Sequence, residues 1–233
     1  MVALVLLPGM DGTGTLFSDF LSFLSEEINP IVVSYPEDKS LGYLELENFA
    51  RTYLPTDEPF VLLGESFSGP VAISLAATKP AGLVGLVLSC TYSRNPVPWF
   101  RPLKNVVRFL PISNRLTGLV APMLFGRFSS ASLRKPLKLA LGRVSSNAIR
   151  ARLRAVLDVD FSEKLKEIRV PILYLQGLDD CIVPASASRH VVKLGHSVEL
   201  VTLRAPHLLL QVLPFEAAAI VEKFIRRVVQ ADH

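Results

Sequence analysis

Six short apolar runs constrain the fold of this chain more than any other feature. They are rich in Val, Leu and Ile, they end in turn residues, and most are continuous rather than alternating in hydrophobicity. A continuous apolar run is typical of a strand that is buried on both faces, as in a parallel sheet. The six runs are VALVLLPG (2–9), NPIVVSYPED (29–38), FVLLGES (60–66), LVGLVLSC (83–90), VPILYLQG (170–177) and SVELVTLRAP (197–206).

Helix-like segments separate the runs. The last of them has apolar residues at positions 217, 220, 221, 224, 225 and 228, which is a helical period. Alternation of strand and helix predicts an α/β fold, with six mostly parallel strands and helices on both faces. The predicted helices cover 15–26, 41–54, 69–79, 185–194 and 214–229.

One segment, residues 91–157, interrupts this alternation. It contains several prolines, short amphipathic pieces and no good strand, so we predict a helical cap inserted in one crossover of a core formed by 1–90 and 158–233. The segment carries 13 basic residues and no acid, whereas the rest of the chain carries 12 basic and 21 acidic residues. Such a charge run is either a solvated basic face or a surface for an anionic partner. An acidic carrier protein, an anionic lipid surface and an acidic substrate are the candidate partners.

Several classes of protein are excluded by what the sequence lacks. Two cysteines, Cys90 and Cys181, form no disulfide framework or zinc motif. The apolar N-terminus lacks the basic region and cleavage site of a signal peptide, and no apolar run is long enough to span a membrane. No nucleic-acid-binding module is recognised. We therefore expect a cytoplasmic protein without a transmembrane segment that does not bind nucleic acid.

The third run leads into a serine that could be a nucleophile. Ser66 stands in G-E-S-F-S-G, close to the G-x-S-x-G pattern of a nucleophile elbow, with Ser68 at the second glycine position and Gly69 after it. Small residues are needed there because the helix turns back tightly on the strand. The alternative is an ordinary strand-to-helix turn.

An acid and a histidine follow later runs. QGLDDCIVP (176–184) offers Asp179 and Asp180, and RAPHLLLQVLP (204–214) offers His207. Each could be an ordinary loop residue. Their order, however, places serine, acid and histidine at the carboxyl ends of parallel strands, where clefts of open α/β sheets form. A serine needs a nearby base, and the base needs an acid that orients it.

With these motifs the chain resembles the α/β-hydrolase superfamily over nearly its whole length. The family's G-x-x-D-x-x-V-P register favours Asp180 over Asp179 as the acid of a catalytic triad with Ser66 and His207. Because the sequence begins at the strand before the glycine-rich loop LLPGMDGTG (6–14), the sheet is expected to have six strands where the family usually has eight.

The resemblance also implies an oxyanion hole, a substrate pocket and an activity. The backbone N–H groups of Phe67 and Met10 would be the oxyanion donors, although Pro8-Gly9 replaces the family's usual His-Gly. The expected activity is carboxylic ester hydrolysis through an acyl-enzyme, without metal or organic cofactor. The arginine-bearing cap is similar to that of pimeloyl-carrier-protein methyl ester esterases, so a thioester or a carrier-linked ester is the alternative substrate, and a ligand sensor with little turnover is the alternative class.

The apolar residues of the cap are candidate walls of the substrate pocket, although residues at helical spacing are more often cap core. Trp99 and Phe125 are the leading candidates. The whole set is Trp99, Phe100, Phe109, Leu119, Met123, Leu124, Phe125 and Phe128.

Overall fold

A six-stranded parallel sheet forms the centre of the molecule. The structure is a computed structural model that describes residues 2–107 and 116–231. All five neighbouring strand pairs are parallel, in the order β2-β1-β3-β4-β5-β6. The predicted fold class and the number of strands are confirmed. The strands are β1 (Val2–Leu7), β2 (Ile28–Val32), β3 (Phe60–Glu65), β4 (Leu83–Ser89), β5 (Ile172–Gly177) and β6 (Val198–Leu203).

The position of the site follows from the strand order. The chain adds β2 on one side of β1 and then returns to add β3 on the other side. In open α/β sheets such a reversal opens a crevice at the carboxyl ends of the two central strands. The loop after β1 and the turn after β3, which carries Ser66, therefore meet at one edge of the sheet.

Helices cover both faces of the sheet because successive strand residues point to opposite sides. One buried cluster joins Ala3, Val5 and Leu7 to α2, α3, α8 and α9, and the other joins Leu4 and Leu6 to α1, α10 and α11. The ranges of these helices are α1 (Ser18–Ser22), α2 (Tyr43–Arg51), α3 (Gly69–Ala77), α8 (Ser162–Glu167), α9 (Ala185–Leu194), α10 (Leu209–Val212) and α11 (Pro214–Ala231).

Several predicted elements are shorter in the structure, the first helix and the second strand among them. The helix expected over 15–26 is a 3-10 turn, Thr15–Phe17, followed by the short α1. The second run ends as a strand at Val32, and the chain then crosses towards the first loop, where the Tyr35 N–H donates to the Gly12 carbonyl at 2.8 Å. Val33 still bonds to β1, its N–H donating to the Leu6 carbonyl at 3.0 Å, and beyond it contacts with the first loop and the cap hold the chain.

The segment between β4 and β5 is helical throughout its described regular structure, apart from one isolated bridge between Arg94 and Asp160. This agrees with the predicted helical cap, whereas the exact division into core and cap stays a prediction. The candidate Phe109 and the side chain of Leu119 lie outside what the structure describes. The elements that precede α8 in this segment are a 3-10 turn (Pro98–Leu103), α4 (Lys104–Val107), α5 (Leu116–Phe125), a 3-10 turn (Gly126–Phe128), α6 (Ala131–Arg143) and α7 (Ser146–Asp158).

Across residues 2–107 and 116–231, no helix combines the length and the apolar character that crossing a membrane requires.

Candidate active site

Ser66 occupies a sharp turn between β3 and α3. Its φ is +50°, a left-handed conformation that is uncommon for a residue with a side chain and that often marks a functional site. The Thr91 hydroxyl donates to the Ser66 carbonyl and fixes this turn. Gly69 allows the close approach, because a β-carbon at that position would overlap the Thr91 side chain. The sequence prediction of a tight turn on small residues agrees with this geometry.

The structure brings Ser66, His207 and Asp180 together. Ser66 Oγ lies 2.7 Å from His207 Nε2, and His207 Nδ1 lies 2.8 Å from Asp180 Oδ2. The second carboxylate oxygen, Oδ1, accepts the backbone N–H groups of Ile182 at 2.8 Å and Val183 at 2.9 Å. Both oxygens of Asp180 are therefore engaged, and one of them holds the imidazole towards the serine.

The neighbouring Asp179 lies in different surroundings. Its side chain is 39% exposed, against 3% for Asp180, and it pairs with Arg127 of the cap at 3.0 Å. It is not within the chain of hydrogen bonds that starts at Ser66. Of the two acids that the sequence offered, the structure thus brings only Asp180 to His207.

The two residues predicted to donate to an oxyanion lie beside the serine. Phe67 follows Ser66 directly and is buried, with its ring stacked on Tyr43 at 4.9 Å. Met10 lines the same cavity as Ser66. A β-carbon on the adjacent Gly9 would lie 3.8 Å from Ser66 Cβ, so the first loop passes close to the serine.

Sequence reasoning missed Arg152, a residue of α7 that fixes this loop. Its guanidinium donates to the carbonyls of Met10 at 2.9 Å, Asp11 at 2.8 Å and Pro36 at 3.1 Å. The side chain is almost fully buried, and burial lowers the pKa of Arg152 while Asp11 opposes that shift. Gly12, at φ +72°, leaves the space, because a β-carbon there would lie within 3 Å of the guanidinium. In the sequence Arg152 was one of 13 cap cations, and no local pattern marked it.

Ser68 makes a second connection between the elbow and the first loop. Its hydroxyl donates to the Pro8 carbonyl, and Tyr35 Oη lies 2.9 Å from the same hydroxyl. Ser68 therefore replaces the usual glycine with a side chain that ties the turn after β3 to the loop after β1.

Glu65 is a buried carboxylic acid immediately before the nucleophile position. Burial, with a smaller contribution from the nearby Asp11, raises the pKa of Glu65 to about 8 although contact with Gln211 opposes the shift. A β-carbon on Gly9 would lie 3.8 Å from its Oε2 atom. At neutral pH this carboxyl is therefore mainly protonated, and it contributes little negative charge beside the first loop.

An apolar cavity of about 600 Å³ lies over Ser66 and His207. Core and cap both line it, and its cap wall includes Phe100, Leu103, Met123 and Leu124. Trp99 is 84% exposed and outside the lining, and Phe125 is buried in a cluster between the cap and the core, so the structure places neither leading candidate in the cavity wall. Helical periodicity could not distinguish the cavity side of these helices from their other sides.

No cluster of three or more His, Cys, Asp or Glu side chains suited to a metal ion occurs in the part of the chain that the structure describes.

Comparison with known proteins concerns the family and the fold of the chain. Residues 4–222 match the sequence profile of the alpha/beta hydrolase family. A Pseudomonas syringae protein named RutD, to which carbamate hydrolysis is provisionally assigned, is 23% identical over 86% of this chain and 84% of its own. A Thermogutta terrifontis esterase structure superposes with a TM-score of 0.83 at 19% identity over 97% of this chain and 89% of that chain.

The structure of an enol-lactonase from Burkholderia xenovorans is also similar to that of this chain. Its structure gives a TM-score of 0.79 at 16% identity, over 98% of this chain and 91% of that chain. At such low identity, the two solved structures show only that the fold is shared. The family assignment rests on the sequence profile, which matches residues 4–222. The chain belongs to the alpha/beta hydrolase family.

Proposed function

We propose that the protein hydrolyses carboxylic esters through a catalytic triad of Ser66, His207 and Asp180. The observation that carries this proposal is the chain of hydrogen bonds from Ser66 Oγ through His207 to Asp180 at the base of an apolar cavity. Serine is a weak nucleophile unless a base takes its proton, and the imidazole is within hydrogen-bond distance to do so.

The first half of the reaction forms an acyl-enzyme. Ser66 Oγ attacks the ester carbonyl carbon while its proton passes to His207 Nε2. Asp180 stabilises the imidazolium and holds its tautomer. The amides of Phe67 and Met10 donate to the oxyanion, each contributing about 3–4 kcal/mol to transition-state stabilisation. The intermediate then collapses, and the alkoxide leaves with the proton from His207.

The second half uses water. His207 removes a proton from a water molecule, which attacks the acyl carbonyl. Collapse of this second intermediate breaks the bond to Ser66 Oγ, releases the carboxylic acid and returns the proton to the serine. These steps use residues of this chain alone.

The cavity supports short to medium acyl chains or small hydrophobic esters as substrates. Its walls are almost wholly aliphatic and aromatic, with Phe100, Met123 and Leu137 among them. Such a lining binds apolar groups by the area that it removes from water. Ser66 and His207 are among the few polar residues of the lining, and the reacting carbonyl would lie beside them.

A thioester or an ester linked to an acidic carrier protein is the second candidate. The observation that favours the carrier is the exposed basic side of α6, which presents Arg134, Lys135 and Lys138. The chemistry at Ser66 would be the same, so a panel of substrates separates these cases. A ligand sensor would bind such a molecule without releasing product.

Hydrolysis of p-nitrophenyl esters from C2 to C12 tests the proposal. We expect turnover by the wild type, an optimum in chain length, and loss of activity in Ser66→Ala. Ser186→Ala changes an exposed serine of α9 and is the matched control. Full activity of Ser66→Ala would refute the proposal, and binding without turnover would favour the sensor.

A further inference from the structure

The first helical part of the cap is apolar on two sides. Residues 98–107 form a 3-10 turn and then α4, and Phe100, Leu103 and Val107 from this part line the cavity. A surface helix normally turns polar residues to solvent on the side opposite its apolar face. Here the sequence PWFRPLKNVV leaves apolar side chains on the outside as well.

Trp99 and Val106 are the outward members of this apolar surface. Trp99 is 84% exposed and Val106 is 56% exposed, and neither lines the cavity. Phe100 and Leu103 add their own half-exposed side chains between them. We call these four residues the cap patch. Exposed aromatic and aliphatic residues grouped in one short helical segment are typical of a surface that contacts another apolar phase.

The charges around the cap patch are cationic. Arg101 and Lys104 alternate with its apolar residues, and both pair with one carboxylate, Asp158 of α7. Two cations on one acid leave a positive charge. Arg154 is exposed one helical turn before Asp158, on the helix that packs against α4. No acid occurs anywhere from Thr91 to Leu157.

We propose that the cap patch docks on the surface of an anionic lipid bilayer. Tryptophan and phenylalanine flanked by lysine and arginine are the combination that inserts shallowly at a bilayer interface, with the cations at the headgroups. An acidic protein would match the charge of the cap patch, but it would also need a pocket shaped to receive the exposed indole of Trp99. A fluid lipid surface needs no such complementarity, and this favours the bilayer.

The experiment uses Trp99 as its own probe, because it is the only tryptophan of the chain. The intact protein is mixed with vesicles of phosphatidylcholine containing about one third phosphatidylglycerol, and with pure phosphatidylcholine vesicles. We expect the emission to shift to shorter wavelength and to be quenched by brominated acyl chains on the anionic vesicles. Partition to neutral vesicles should be at least about tenfold weaker, and added salt should reduce the anionic binding.

Two matched variants test the position of the surface. Val106→Asp places a negative charge inside the cap patch and keeps the fluorescent probe, and we expect at least about tenfold weaker partition. Leu44→Asp makes the same change at a 66% exposed leucine of α2, away from the cap, and should partition as the wild type does. Both should hydrolyse a short soluble ester at the wild-type rate, because neither side chain lines the cavity.

Three results would overturn the inference. The first is emission of Trp99 that anionic vesicles leave unchanged. The second is equal partition of Val106→Asp and the wild type. The third is an emission shift that appears without vesicles. A shift with rising protein concentration would assign the cap patch to a second copy of the chain, and a shift on adding an acidic carrier protein would assign it to that partner. The readout is binding, so its failure is separate from failure of the proposed esterase activity.

Discussion

Asp179 and Asp180 are adjacent carboxylates, the first exposed and the second buried. This difference predicts different effects on kcat when each is changed to Asn. Asp180→Asn should lower kcat by about 10⁴, because the amide can no longer hold His207 in the tautomer that accepts the serine proton. Asp179→Asn removes only an exposed pair with Arg127, so its kcat should stay within about twofold of the wild type. Steady-state hydrolysis of one ester by the two purified variants makes the comparison, and similar losses in both would contradict the assignment of Asp180.

The raised pKa of the buried Glu65 carboxyl predicts that the stability of the protein depends on pH. This carboxyl is buried and its pKa in the folded state is about 8, whereas the unfolded chain titrates near 4.5. Between these values the folded state holds a proton that the unfolded chain has released, so the free energy of unfolding falls as the pH rises from 4.5 to 8. Glu65→Gln stays neutral and should avoid this loss, with a relative gain on the order of 4 kcal/mol at pH 9.

Urea unfolding of wild type and Glu65→Gln at pH 5 and pH 9 measures this difference. The gap between the two proteins should be wider at pH 9. Glu163→Gln, at an exposed acid of α8, is the control and should follow the wild type at both values. A constant gap would mean that Glu65 is ionised in the folded protein already at pH 5.

The site residues that the sequence could predict are those placed by strand ends. Ser66, Asp180 and His207 follow β3, β5 and β6, and the topology alone brings them to one edge. Arg152 and Glu65 lack such a signal, since the partners of Arg152 are backbone carbonyls 116 to 142 residues away. The raised pKa of Glu65 depends on its burial and on its position near Gln211 and Asp11, which no spacing in the sequence encodes.

At the scale of elements, α7 holds the loop after β1 in place through Arg152. Arg152→Met should lower kcat by at least about tenfold with KM changed less than threefold, because a loop that shifts loses the amide aimed at the oxyanion. Arg152→Lys keeps a charge that can reach fewer carbonyls and should retain part of the activity. This pattern marks a positioning residue.

Kinetics normalised to the concentration of titrated active sites separate this role from a loss of folded protein. Arg154→Met, at an exposed arginine of the same helix, is the control and should match the wild type. If Arg152→Met kept the wild-type kcat per active site, the Met10 amide would not depend on this contact.

Strands were more predictable than cap helices for a physical reason. A strand buried on both faces, such as β1 or β3, needs apolar residues at every position, so its extent can be read directly. In the cap, α5 and α6 have three surroundings: the cavity, a small cluster shared with the core, and solvent. The apolar residues Met123 and Phe125 of α5 look alike in sequence, yet Met123 lines the cavity and Phe125 lies in the cluster.

The cap and the core share packing that predicts how the whole molecule unfolds. Leu16 and Leu208 of the core lie in one buried cluster with Ala121, Phe125 and Leu137 of the cap. The backbone N–H of Leu208 also donates to the Leu124 carbonyl at 3.2 Å. A cap that unfolded alone would expose this apolar surface on both parts and would also release the contacts that Arg152 makes. The molecule should therefore unfold in one cooperative transition.

Phe125 provides the test, because it lies in the shared cluster and does not line the cavity. Phe125→Ala should cost about 3–5 kcal/mol of unfolding free energy. It should lower the single Tm by on the order of 10 °C. Leu139→Ala, at an exposed leucine of the same cap, should leave the Tm nearly unchanged. Differential scanning calorimetry distinguishes the cases: two transitions, with Phe125→Ala moving only the lower one, would mean that the cap is a separate cooperative unit and that the cavity can open without unfolding the core.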